Sequence, residues 1–260
     1  MSDPSRSFSK NQIRKLGSRL RNADVPAEAD VSDYIRWSQG FGSALSEIEA
    51  TVRQIAETGP ATDDFQMSAR IKQIFSVRAK LVRQRTSLSD LEDIAGCRVI
   101  LPSLIEVDQF ILQCAKLSVT RTRDYRADSN NGYRAVHLTL RSEDQHAVEL
   151  QIRTRIQHAW AQLTERAAAS RGIEVKYGGG PDEIRHMLAS FSKMVRFVDL
   201  ANVSLGMSEI VEDVMADSGD VKGLESTSNS RRTAEARLTE FEASLISMWA
   251  SLFPEPRAET

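Results

Sequence analysis

At Cys97 the spacing of apolar residues changes, and that change most limits the folds open to this chain. Downstream, apolar residues alternate with polar ones at the two-residue period of strands. Residues 97–101, 117–125, 133–141 and 147–153 are predicted strands. Val107, Phe110, Ile111 and Cys114 recur at helical spacing and predict a helix over 104–117. Upstream the spacing is helical throughout, in one run with Ile13, Leu16 and Leu20 and, past Pro26, a second from Ile35 to Ile55. Gly59 and Pro60 end it, and a third helix is predicted over 67–84. After residue 153 a helix should run to 169. Gly178–Gly180 with Pro181 make a flexible break. Helices over 182–202 and 233–253 follow, separated by the polar stretch 218–230. This describes an α+β protein: a mixed β-sheet flanked by helices, with helical N- and C-terminal extensions over 1–60 and 178–260 around a core over 61–177.

Charge is unevenly spread. The net charge of −2 divides into 0 for residues 1–60, +4 for 61–180 and −6 for 181–260. A basic middle suggests an anionic ligand, with chance variation of surface charge as the alternative. Cys97 and Cys114 lie in apolar stretches and form no Cys-x-x-Cys pair, which predicts reduced, buried thiols. The first fifteen residues have no apolar core after their charges, and nowhere do ~18 apolar residues run together. A cytoplasmic protein without a signal peptide or membrane span is expected. His137, His146, His158 and His186 have no zinc spacing, and no Gly-rich phosphate loop is present.

Candidate chemistry lies in four places. The predicted third helix holds Arg70, Lys72, Ser76 and Lys80, with Arg83 just beyond, and Lys72, Ser76 and Lys80 share a face at i, i+4, i+8. Such a face can neutralise a polyphosphate or stay solvated. Asp93 precedes a strand that carries Arg98, either as an ion pair or as a metal ligand beside a phosphate clamp. On the last strand Val148, Leu150 and Ile152 face the core while Glu149, Gln151 and Arg153 face the other way. Asp93 across the sheet from Glu149 would make a site for a divalent cation. Asn131 and Gly132 signal a turn into the third predicted strand, with Tyr133, Ala135, His137 and Thr139 on one side. Tyr133 there either stacks on a base or packs in a hairpin.

Taken together and in order, Arg70/Lys72/Ser76/Lys80, Asp93/Gly96/Arg98, Asn131/Gly132/Tyr133/Arg134/His137 and Glu149/Gln151/Arg153/Thr154/His158 resemble the synthetase domain of the RelA/SpoT alarmone synthetases, over residues 69–169. The resemblance implies a nucleotidyltransferase-like sheet and Mg²⁺-dependent transfer of pyrophosphate from ATP to a ribose 3′-hydroxyl. By position, Arg70, Lys72, Ser76, Lys80 and Arg98 would hold ATP. Asp93 and Glu149 would place Mg²⁺ as the catalytic pair, Glu149 also assisting deprotonation of the hydroxyl. Tyr133, Arg134, His137, Gln151 and Arg153 would surround the acceptor. The sequence before 61 has no His-Asp pair for a hydrolase metal site, and that after 177 is too short and helical for regulatory domains, which implies a stand-alone small synthetase.

Two departures bear on the acceptor. The family's lysine ahead of Asn-Gly-Tyr is missing from a shortened loop reading Asp124, Tyr125, Arg126, Ala127, Asp128, Ser129, Asn130, where Arg126 is a candidate substitute and Asp128 disfavours phosphate binding. After the helix histidine the usual Ala-Glu reads Ala161, Gln162, and 153–160 resembles toxin-type small synthetases, some of which modify the 3′ end of tRNA. The expected activity is alarmone synthesis on GDP or GTP. The alternatives are a tRNA-modifying toxin and a catalytically inactive nucleotide-sensing or partner-binding module. The acidic C-terminal helices, with Glu209, Glu212, Asp213 and Asp217, either dock an antitoxin or a second subunit or stay solvated.

Overall fold

A computed structural model describes residues 8–59, 64–127, 131–218 and 221–254. It divides into two units. One comprises the stretch ending at Val99 with Phe110–Arg123 and His137–Gln151; the other comprises Ile100–Gln109, Asp124–Val136 and the chain from Ile152 onward.

In the first unit three helices precede the sheet: α1 (Lys10–Asn22), α2 (Glu28–Gln39) and α3 (Gly42–Thr58). The sequence reading had two runs; the second breaks at Gly40, whose amide bonds back to Trp37 and Ser38 and closes α2. Ser9 and Gln12 form a capping box at the start of α1, satisfying amides that a helix start leaves open. Leu16, Leu20, Ile48 and Val52 are buried.

The largest correction falls on the predicted third helix. Residues Gln66–Ile71 are strand β1, and helix α4 begins only at Ile74. Met67, Ala69 and Ile71 alternate with more exposed neighbours, a two-residue pattern that was present in the sequence. The amide of Lys72 donates to the Ile94 carbonyl (2.8 Å), so pairing across the sheet outweighs helix propensity here. Arg70 and Lys72 therefore leave the helix assigned to them. Ser76 and Lys80 stay on α4 (Ile74–Gln84), which ends at Arg85 in the left-handed conformation.

Strands β2 (Ala95–Leu101), β3 (Val119–Asp124), β4 (Val136–Arg141) and β5 (Ala147–Thr154) complete a five-stranded sheet in the order β1-β2-β5-β4-β3. Helix α5 (Leu104–Cys114) connects β2 to β3 as expected. Gly96 lets β2 approach β5 closely, since a Cβ there would stand 3.3 Å from the Glu149 carbonyl oxygen. β3 is an edge strand blunted by Thr120, Arg121, Thr122 and Arg123, nearly all exposed. Cys97 and Cys114 are buried and free, and burial pushes both thiols up to about 12, which leaves them unreactive.

The second unit is built on α6 (Arg155–Arg171), α7 (Asp182–Ser218) and α8 (Val221–Leu252). Ile156, Trp160, Leu163, Leu188, Val195, Val198, Leu245 and Trp249 form its core, with Tyr133 packed against it. The polar stretch predicted to separate two helices is itself helical up to Ser218 and from Val221. Glu212, almost wholly buried, accepts hydrogen bonds from Ser228 and Arg231 and ties α7 to α8, so one of the four C-terminal acids is a structural group.

Candidate active site

Asp93 sits in the two-residue approach to β2, where the chain leaves a 3-10 turn (Leu88–Asp90). Lys72 stands just past β1 and Lys80 on α4. Both ammoniums bind one carboxylate oxygen, Oδ2 of Asp93, at 2.7 and 2.6 Å. The other oxygen, Oδ1, is buried without a hydrogen-bond partner. Burial works to raise this carboxyl, but the two ammoniums overcome it and hold it below the ordinary range, so Asp93 is ionised. The Tyr34 hydroxyl donates to the Lys72 carbonyl, so α2 fixes the backbone from which that lysine extends.

Glu149 is on β5 and His137 on β4, adjacent strands of the sheet. Glu149 Oε1 lies 3.1 Å from His137 Nδ1, and Oε2 accepts from the Gln151 amide at 2.8 Å. Burial alone would raise Glu149, yet the hydrogen bond and charge of His137, the Gln151 bond and the charge of Lys72 lower it to about 2. An ionised carboxylate only accepts, so Nδ1 of His137 carries the proton.

Two clefts meet at these carboxylates. One, of about 260 Å³, is lined by Arg70, Lys72, Arg98 and Gln151 together with Asp93 and Glu149. The other, of about 210 Å³, has Lys80, Arg121, Arg123 and His137 around the same pair. The structure thus gathers Arg70, Lys72, Lys80, Arg98, Asp93, Glu149, His137 and Gln151, although they come from β1, α4, β2, β4 and β5. Ser76 lies outside both linings, exposed one turn before Lys80. Arg121 and Arg123 were missed by the sequence reading; their two-residue spacing on a strand was the available signal. Glu92 pairs with Arg121 (3.0 Å) and Arg141 (3.2 Å) and steadies that wall. Two carboxylates, each with lone pairs to spare, can hold a cation that keeps most of its waters. Among the described residues no group of three or more His, Cys, Asp and Glu side chains converges on a metal position.

The second unit holds Tyr133, Arg134 and Arg153. Tyr133 precedes β4 and is not part of it, a correction to the predicted strand. The Asn-Gly pair makes no tight hairpin either. Gly132 takes φ +84°, and its carbonyl accepts from the Ser192 hydroxyl of α7 (2.8 Å). Asn131 accepts from the Tyr133 amide (3.2 Å) and donates to the Lys176 carbonyl (3.1 Å). Arg153 donates to the Tyr133 hydroxyl (2.5 Å) with its guanidinium 4.9 Å from the ring centre, and Tyr125 meets the ring edge-on. Arg134 lines a cavity whose walls do not include its neighbour Tyr133. Arg126, the candidate substitute for the missing lysine, is tied to Asp124 (2.7 Å) and Asp108 (2.6 Å). Asp128, Ser129 and Asn130 lie outside the described residues.

Residues 69–170 match the model of the region found in RelA / SpoT proteins. They are a RelA/SpoT region. An uncharacterized protein of Mycobacterium tuberculosis is 27% identical over 209 residues, covering 78% of this chain and 75% of that protein. A probable chloroplastic GTP diphosphokinase of rice (Oryza sativa subsp. japonica) is 30% identical over 100 residues, 37% of this chain but 14% of the rice protein. Among solved structures, the small alarmone synthetase 1 from Bacillus subtilis bound to its product pppGpp superposes with TM-score 0.56 at 22% identity, covering 71% of this chain and 99% of that one. The RelA/SpoT region here therefore has the alarmone-synthetase fold. Among the described residues no helix is long and apolar enough to cross a membrane.

Proposed function

We propose that this protein transfers pyrophosphate from ATP to the ribose 3′-hydroxyl of GDP or GTP. The observation that carries the reading is Asp93, ionised, holding Lys72 and Lys80 on one oxygen while the other is buried and unpartnered, at the wall shared by two basic clefts. The resemblance to a probable GTP diphosphokinase over 100 residues and to a synthetase with pppGpp bound supports it.

On this reading Arg70, Lys72, Lys80 and Arg98 neutralise and orient the triphosphate, which supplies most of the rate in phosphoryl-type transfers. Asp93 Oδ1 and Glu149 would hold Mg²⁺, whose charge neutralises that developing on the phosphate oxygens. Glu149, kept ionised, is also placed to accept a proton from an attacking hydroxyl, directly or through His137. Arg153 and Tyr125 brace the Tyr133 ring, which would stack on the acceptor base. Gln151 braces Glu149. A second reading, transfer to the 3′ end of tRNA, is favoured by one observation: Arg126 is already neutralised by two aspartates and does not replace the missing lysine.

The test is incubation with ATP labelled at the β or γ phosphate, Mg²⁺ and either GDP/GTP or deacylated tRNA, with Glu149→Gln as control. Label in a guanosine nucleotide supports the first reading, and label on tRNA supports the second. ATP binding with no transfer to either would leave a nucleotide-sensing module.

A further inference from the structure

A third cavity, of about 380 Å³, belongs to neither cleft described above. It lies wholly in the second unit, between α7, the start of α6 and the chain leaving β3. Three guanidiniums reach it from distant parts of the sequence: Arg126, Arg134 and Arg196. Their states differ. Arg126 is fully engaged by Asp124 and Asp108 and serves as a fixed wall. Arg134 donates through one terminal nitrogen to the Arg126 carbonyl, while its Nε–H is buried with no acceptor. A buried donor left unmade is costly, so such groups usually signal an absent partner.

The carboxylate nearest in charge does not fill that role. Asp199 is buried, and its two oxygens accept from the Thr154 hydroxyl and the Gln157 amide, both at 2.8 Å. Burial and the like charge of Arg196 both work against the Arg134 cation, more than Asp199 compensates. An anion between Arg134 and Arg196 would relieve both penalties. The rest of the lining includes Leu104 and Leu200, an apolar shelf beside the cations. Two guanidiniums beside an apolar shelf suit a planar or tetrahedral oxyanion carried on a hydrophobic body.

We propose that this cavity is a binding subsite for a small organic phosphate, read by Arg134 and Arg196 and separate from the ATP cleft. It touches the acceptor machinery through one covalent step, since Arg134 follows Tyr133 in a loop that Ser192 of α7 pins at Gly132. An anion held against α7 would restrain that loop from its other side.

The full-length chain, labelled with ¹⁵N-arginine, allows a direct test. The Arg134 Nε–Hε signal is assigned by its loss in Arg134→Lys. Phenyl phosphate should shift it saturably, and inorganic phosphate should do so at least threefold more weakly. Arg196 is exposed on α7, so Arg196→Gln should fold; it should weaken phenyl phosphate at least tenfold. Leu200→Ala should weaken phenyl phosphate but not inorganic phosphate. Lys72→Ala should leave the Arg134 response unchanged, which separates this subsite from the ATP cleft. No saturable shift, or equal affinity in Arg196→Gln, overturns the proposal. Benzoate binding as tightly as phenyl phosphate overturns the assignment to phosphate.

Discussion

Replacing Asp93 by asparagine tests the donor cleft most severely, because two opposite effects are expected from one change. Lys72 and Lys80 Nζ lie 2.7 and 2.6 Å from the same carboxylate oxygen, with their side chains only 24% and 20% exposed. The two ammoniums are thus within about 5 Å of each other, and without the carboxylate they repel by about 3 kcal/mol at an effective dielectric constant near 20. Some of this is relieved by the lysines swinging outward, so a loss of about 1–3 kcal/mol is expected, or about 3–8 °C in Tm. A polyanion should recover it. With one negative charge removed and two lysines released, ATP in excess EDTA should bind Asp93→Asn at least tenfold more tightly than the parent chain, which is about 1.4 kcal/mol or more. Turnover with Mg²⁺ should fall by about 10³-fold or more, since on the proposed reading a ligand for the cation is gone. Calorimetric titration of ATP in EDTA, thermal melts and the labelled-ATP assay give the three readouts. A variant with parental Tm and unchanged or weaker metal-free ATP binding would refute the claim that Asp93 neutralises the lysines.

Gly132→Ala should destabilise the second unit by about 2–4 kcal/mol, because φ is +84° and a Cβ would stand 2.8 Å from Ser192 Cβ and 3.1 Å from Trp160. Denaturant unfolding should detect that loss, with acceptor KM raised and ATP affinity retained. Asp199, raised by burial to about 6, keeps a proton in the folded state that the unfolded chain loses near pH 4. Its contribution is therefore full below pH 4 and lost as pH rises through 6, about 2–3 kcal/mol in all; Asp199→Asn should remove that slope from the difference between melts at pH 4.5 and 7. Arg123→Glu, in the cleft with Lys80 and His137, should raise acceptor KM at least tenfold while changing ATP affinity less than twofold, as steady-state kinetics and calorimetry would read.

Much of the candidate site was legible because two-residue alternation fixes which residues of a strand share a face. The alternation from Val148 to Arg153 put Glu149 and Gln151 on one face of a strand, and the structure finds them hydrogen-bonded to each other. The failures have physical causes. Met67, Ala69 and Ile71 fit either period over so short a run, and only the bond from Lys72 to Ile94 decides it, a contact between segments twenty-two residues apart. Arg126 looked available because a sequence does not show Asp108, which approaches it from another element. Asn131 and Gly132 have hairpin chemistry, yet Ser192 and Lys176 use it to anchor a loop. Charge pairing across distant segments is what one sequence leaves unstated.

The way Asp93 and Glu149 are shared has a chemical consequence. In-line displacement at phosphorus needs the entering and leaving oxygens on opposite sides of the atom under attack. A single cleft ending at a pair of carboxylates would admit one of them and block the other. Here the pair forms a wall common to two basic clefts, one with Arg70 and Arg98, the other with Arg123 and His137. A triphosphate in the first could present its β-phosphorus at the carboxylates while a hydroxyl approached through the second, beside Glu149, the proposed proton acceptor. The same division explains why one lysine lines each cleft. Lys72 lines the first and Lys80 the second, and Asp93 holds both at the shared wall until the triphosphate takes them.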